Sequence, residues 1–128
     1  MIHKDDGRLK LQIRVCTKGA IGPGKVALLE AVDRCGSITA AAKDLDMSYR
    51  RAWLLLDAMN RAFCEPVIDT SFGGKRGGGT KLSATGRTVL DIYRRIQVKA
   101  EAAVADELAE IAGLEANEAP DVPPSPES

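Results

Sequence analysis

Ser48, Tyr49, Arg50 and Arg51 stand in a row where an apolar-periodic stretch begins, and together they carry two hydroxyls and two guanidinium groups. A guanidinium can donate two hydrogen bonds to O6 and N7 of guanine, while hydroxyls bond base edges or phosphate oxygens. Further along, residues 71–80 read SFGGKRGGGT, which sets Lys75 and Arg76 among five glycines. Glycine lets a main chain approach phosphates closely, and the two cations supply the attraction. This is chemistry for recognising a polyanion.

The donors need elements to hold them. Ser48 is a good N-cap, and the apolar residues Ala52, Leu56, Met59 and Phe63 follow it at spacings of four, three and four, which predicts a helix. That stripe turns Arg50, Trp53, Leu54, Asp57 and Arg61 to the opposite side. A solvated face has no use for Trp53 and Leu54, so this side should meet something, with Trp53 expected to pack beneath the glycine hairpin and orient the helix. Upstream, Ser37 caps a shorter helix whose buried stripe would be Ile38, Ala41, Ala42 and Leu45. The turn at Asp46 and Met47 joins the two. Two capped helices on a short turn are the layout of a helix-turn-helix, whose second helix enters the DNA major groove. On that reading Ser48, Tyr49, Arg50, Arg51, Trp53 and Arg61 are the candidate contacts of the recognition helix. Ser37 and Thr39 are candidates at the start of the first helix.

Composition narrows the alternatives. A chain of 128 residues can bury a core without disulfides or a structural metal. His3, the one histidine, lies in a polar segment, and Cys16, Cys35 and Cys64 are too widely spaced for a disulfide framework or paired zinc ligands. No cluster of catalytic groups stands out, so neither an enzyme nor a bound metal or cofactor is expected. No apolar run reaches the length of a membrane span, and the N-terminus lacks a signal-peptide apolar region, which predicts a cytoplasmic protein. The net charge of zero is a sum of unlike parts. Residues 1–49 carry +2, residues 50–100 hold ten basic against four acidic groups for +6, and residues 101–128 carry eight acidic groups and no basic ones for −8. The donors sit in the basic part.

In chain order, Leu9 to Cys16 alternate apolar and polar and predict a strand, followed by a turn over Gly19 to Gly24. The partner of that strand is expected beyond the helix-turn-helix. A helix starting at Pro23 should bury Val26, Leu28 or Leu29 and Val32, and end at Gly36. Val67 to Thr70 and Lys81 to Ser83 have strand character on either side of the glycine run, which makes a basic hairpin, the wing of a winged helix. Its candidate phosphate contacts are Lys75, Arg76, Gly77, Gly78 and Lys81. A nucleotide phosphate loop is the competing reading, but GGKRGGGT lacks the GxxxxGK[ST] order. From Thr85 a helical pattern runs about 27 residues to Gly113, on the order of 40 Å. Its stripe through Ile96, Ala100, Val104, Leu108 and Ile111 exceeds what a small winged domain can cover, and predicts packing against a second copy. Beyond residue 113 the chain is acidic and proline-rich and reads as a disordered tail. The expected organisation is one domain over 1–112 and a tail over 113–128.

KVALLEAVDRCGSITAAAKDLDMSYRRAWLLLDAMN, GGKRGGGTKLSATG and LDIYRRI together resemble the N-terminal DNA-binding domain of the ModE family of molybdate-responsive bacterial regulators. GSITAAAKDLDMS followed by LSATG is also similar to LysR-type regulators; SYRRAW and the glycine-rich wing point to the ModE group. The resemblance implies a winged helix-turn-helix that dimerises through its N-terminal strand, here Leu11 and Ile13, and its long final helix. In full-length members a pair of molybdate-binding β-domains follows that helix, whereas here an acidic tail follows. The expectation is therefore DNA binding without molybdate binding by this chain, with a separate molybdate-binding protein or another effector as a possible regulatory partner.

The predicted fold is mainly α with a small β-wing, a winged helix-turn-helix with a long C-terminal helix. The predicted function is a homodimeric transcriptional regulator that binds double-stranded DNA. The rivals are a winged-helix adaptor for protein interaction, and a regulator that senses an oxyanion in a dimer cleft.

Overall fold

The computed structural model of the chain describes residues 9–16, 19–70 and 79–116. Strands β1 (Ile13–Cys16) and β2 (Gly19–Ile21) pair antiparallel, with Ile13 opposite Ile21 and Arg14 opposite Ala20. This corrects two expectations, because Gly19 to Ile21 is strand rather than turn and β1 finds its partner next in sequence. The physical reason is Ile21. It is buried, and the ladder sets it across from Ile13 on one face, while a local hairpin closes at less entropic cost than a distant pairing.

Helix α1 (Pro23–Cys35) starts on proline and buries Val26, Leu28, Leu29, Ala31 and Val32. Gly36 ends it in the left-handed conformation at φ 80°, where its N–H bonds the Val32 carbonyl. Helix α2 (Ile38–Asp44) and helix α3 (Tyr49–Ala62) follow as the helix pair, joined by a turn in which Asp46 takes φ 58°. Of the expected stripe on α3, Ala52, Leu56 and Met59 are buried and Phe63 is half-buried. Among the described residues Leu28, Leu29, Val32, Leu56, Met59, Val67 and Leu90 are the large fully buried side chains of the core.

Strands β3 (Ile68–Asp69) and β4 (Lys81–Leu82) pair antiparallel, Ile68 opposite Leu82, and form the base of the hairpin. Helix α4 (Ala84–Ala103) begins on a dense knot of hydrogen bonds. Ser83 Oγ accepts from the Gly86 N–H at 2.9 Å as a cap, its hydroxyl donates to the Pro66 carbonyl at 2.7 Å, and its own N–H donates to the Val67 carbonyl at 2.9 Å. Ion pairs Arg87–Asp33 (2.7 Å) and Arg94–Glu30 (2.9 Å) join α4 to α1; both lie at the surface, where solvent screens them and they add little. Tyr93 is buried, and its hydroxyl donates to the Leu11 carbonyl at 2.6 Å.

The expected single final helix is interrupted. Val104 takes φ −117° and ψ 23°, outside the helical region, and α5 (Ala105–Ala112) restarts behind it. Asp106 and Glu107 in the first turn of α5 favour a helix N-terminus there, since carboxylates stabilise that end of the dipole. Residues 10–98 form one compact unit, while Leu9 and residues 99–116 belong to another, in which the Leu9 N–H donates to the Glu101 carboxylate at 3.1 Å. The expected tail lies outside the described residues from 117 onward. Among the described residues no helix is long and apolar enough to cross a membrane.

Candidate nucleic-acid interface

Both helices of the pair are capped as their serines require. Ser37 Oγ accepts from the Ala40 N–H and Ser48 Oγ from the Arg51 N–H, each at 3.0 Å. The Ser48 oxygen is thereby occupied, and its hydroxyl proton is what it can offer a ligand. Tyr49, Arg50 and Arg51 are all exposed on the first turn of α3. Neither arginine forms an ion pair among the described residues. Arg61, by contrast, pairs with Asp57 at 2.8 Å one turn away, so its charge is partly compensated.

Trp53 is half-buried at the edge of the core. Its indole Nε1–H donates to the Tyr49 hydroxyl at 2.6 Å. The two rings line an open groove of about 360 Å³ together with Ser37, Ile38, Thr39, Thr70, Gly79 and Thr80. The groove thus runs between the starts of both helices of the pair and the base of the hairpin. Trp53 and the hairpin-base residues Thr70, Gly79 and Thr80 line the same groove. The Thr80 N–H donates to the Gly36 carbonyl at 2.9 Å, which ties the hairpin to the junction of α1 and α2. Lys81 is exposed on β4, while Lys75, Arg76, Gly77 and Gly78 lie outside the described residues. Among the described residues no three metal-ligating side chains converge.

No family model matches the chain. Over 103 residues, 80% of this chain and 37% of the relative, it is 39% identical to the molybdenum transport protein ModE of Azotobacter vinelandii. Over 94 residues, 73% of this chain and 35% of the relative, it is 41% identical to the molybdenum-pterin-binding protein MopB of Rhodobacter capsulatus. The DNA-binding transcriptional dual regulator ModE of Escherichia coli K12 is 31% identical over 100 residues, 76% of this chain and 38% of the relative. The chain is a homologue of the ModE and MopB proteins. It spans between 35% and 38% of the length of these three relatives. Its fold is also similar to that of the protein in the crystal structure of the CbnR_DBD–DNA complex, with a TM-score of 0.54 at 24% identity, covering 69% of this chain and 95% of that one. The architecture is a winged helix-turn-helix.

This ModE homologue has a second surface, apolar and distinct from the groove. Ile13, Val15, Ile21, Phe63, Val89, Ile92, Tyr93 and Ile96 line a cavity of about 150 Å³. Two of the expected dimer residues, Ile13 and Ile96, meet there, and Leu11 is half-buried nearby in sequence. Ile92 and Ile96 stay 42% and 38% exposed, too much for residues that complete a core. The other expected dimer residues belong to the second unit, where Ala100, Val104 and Leu108 are half-buried and Ile111 is 68% exposed. Sequence reasoning missed Thr70 and Thr80 in the groove, and Val15, Ile21 and Ile92 in the apolar cavity. The alternation of β1 pointed to Val15, and the i, i+4 spacing of Ile92 and Ile96 pointed to a shared face.

Proposed function

We propose that the chain acts as a ModE-type transcriptional regulator in the cytoplasm, binding double-stranded DNA as a homodimer. The observation that carries this reading is the first turn of α3, where Tyr49, Arg50 and Arg51 are exposed beside a groove lined by hydroxyl groups. Arg50 and Arg51 read guanine edges or bind phosphates, and Ser48 and Tyr49 add hydrogen bonds to base edges or phosphates. Trp53 orients the helix against the hairpin base. Ser37 and Thr39 lie along the same groove and contact the backbone, and Arg61 adds a weaker, partly compensated charge. The wing residues Lys75, Arg76, Gly77, Gly78 and Lys81 serve the phosphates. The apolar surface around Ile13, Ile92 and Ile96 takes the second copy, so that two recognition helices read paired half-sites.

A gel shift with the DNA upstream of the protein's own gene and with random DNA, across a salt series and with and without molybdate, tests the reading. The expected result is salt-sensitive binding to both, tighter on the selected sequence. Absence of binding to either DNA at low salt refutes it.

A further inference from the structure

The direction of the hydrogen bond between Trp53 and Tyr49 on α3 is set by chemistry alone. An indole N–H can only donate. At 2.6 Å the Tyr49 oxygen therefore accepts, and its own O–H proton is left to point elsewhere. A phenol that has accepted in this way meets a ligand as a donor. The group that takes this proton has to be an acceptor.

The position of the pair says which acceptor. Tyr49 and Trp53 are one helical turn apart on the same face, which looks into the groove with Thr39, Thr70 and Thr80. Arg50 and Arg51, on the same turn of α3, do not line it. Among the described residues no carboxylate lines the groove, and the residues opposite the pair are hydroxyls and the main chain of Gly79 at the hairpin base. A groove with hydroxyls to donate and no carboxylate suits an oxyanion of the backbone, which only accepts, better than a base edge, about a third of whose major-groove groups are themselves donors. We propose that Tyr49 donates its hydroxyl to a DNA phosphate oxygen, and that Trp53 is a positioning residue that fixes the direction of that donation. This rests on the DNA-binding reading and deepens it: sequence-independent contact is assigned to Tyr49, and sequence reading is left to the arginines.

The test measures anisotropy of labelled DNA with the full chain, using a random-sequence duplex and the upstream DNA, over a salt series. The variants are Tyr49→Phe, Trp53→Phe and the pair. Tyr49→Phe should weaken binding about tenfold, because a hydrogen bond to a charged oxygen is lost. The loss should be equal on both DNAs, and the slope of affinity against salt should not change, since no cation is removed. Trp53→Phe should lose less, and the double variant should bind like Tyr49→Phe alone, because the indole acts only through the phenol. Additive losses overturn the positioning role. A Tyr49→Phe chain that binds random DNA as the wild type does overturns the phosphate contact, and a loss confined to the selected sequence replaces it with a base contact. Wild-type chain that binds neither DNA removes the DNA-binding reading itself, a result distinct from these. Melting curves of the variants keep folding defects apart from the binding effect, and the exposed site of Tyr49 makes Tyr49→Phe a safe variant to fold.

Discussion

Gly86→Ala is the substitution for which the structure makes the sharpest claim. Gly86 is buried in the first turn of α4, and a Cβ added there would lie 2.9 Å from the Val67 carbonyl carbon and 3.2 Å from its Cα, and closer still to the carbonyl oxygen. The obstacle is backbone, which cannot swing aside as a side-chain tip can. Val67 is itself pinned, its N–H donating to Asn60 Oδ1 at 2.8 Å and its carbonyl accepting from Ser83 at 2.9 Å. Relief of the overlap costs about 1–3 kcal/mol of strain, and a lost or stretched hydrogen bond adds about 0.5–1.5 kcal/mol. Alanine returns about 1 kcal/mol of helix propensity over glycine. The net loss is about 0.5–3.5 kcal/mol, and at its middle of about 2 kcal/mol it lowers the melting temperature by roughly 8–16 °C for a unit of this size. Gly24→Ala is the control. It lies in the first turn of α1 with nothing within 4 Å of its Cβ, so the same change should stabilise by about 0.4–1 kcal/mol. Urea unfolding followed by far-ultraviolet circular dichroism measures both. A Gly86→Ala chain as stable as the wild type would refute the close approach of α4 to Val67.

Three further outcomes follow from the same geometry. Arg50→Ala should cost about 1–3 kcal/mol of binding on the preferred DNA and less on random DNA, as expected for a guanidinium that reads a guanine; equal losses on the two would remove that role. Burial raises the pKa of Tyr93 above the ordinary tyrosine value, so between about pH 10 and the folded value the unfolded chain has lost a proton that the folded chain keeps. Stability should therefore fall as pH rises past about 10, and Tyr93→Phe should flatten that fall while costing about 1 kcal/mol at neutral pH through the unpaired Leu11 carbonyl; an unchanged alkaline limb would refute the assignment. Ile96→Glu should yield a monomer by sedimentation with its melting temperature little changed, because Ile96 is already 38% exposed; a variant that stays dimeric places the subunit contact elsewhere.

The features legible in the sequence are those encoded within one turn of chain. Ser37 and Ser48 announce helices because a serine hydroxyl reaches a main-chain N–H three residues on, and both bonds are present. Spacings of three and four identify the buried face of α3 because the helix itself imposes that period. The Tyr49–Trp53 bond was within reach of the same reasoning, being an i, i+4 pair. Non-local main-chain bonds were out of reach. Nothing in the identity of Thr80 says that its N–H will find the carbonyl of Gly36, since every residue but proline carries the same donor. The β2 segment reads as a turn because Gly19, Gly22 and Pro23 dominate it, and they mask the short strand of Gly19, Ala20 and Ile21 that pairs with β1. Val104 was hidden by an apolar pattern that runs unbroken across it.

The tie between Thr80 and Gly36 bears on how a two-part reader keeps its register. On the proposed reading, recognition of DNA by α3 and by the hairpin is productive only if the distance between them is held. Gly36 solves this with two properties of one residue. Its left-handed conformation ends α1 and turns the chain into the cap of α2, and its carbonyl receives the hairpin base at Thr80. Nothing crowds the position within 4 Å, so glycine is required there by φ, whereas at Gly86 it is required by space. The first device anchors the hairpin to the start of the helix pair, and the second seats α4 against Val67 beside β3, from the opposite end of the same hairpin. The base is thus held at both strands by contacts of the main chain, which do not depend on the side chains that line the groove.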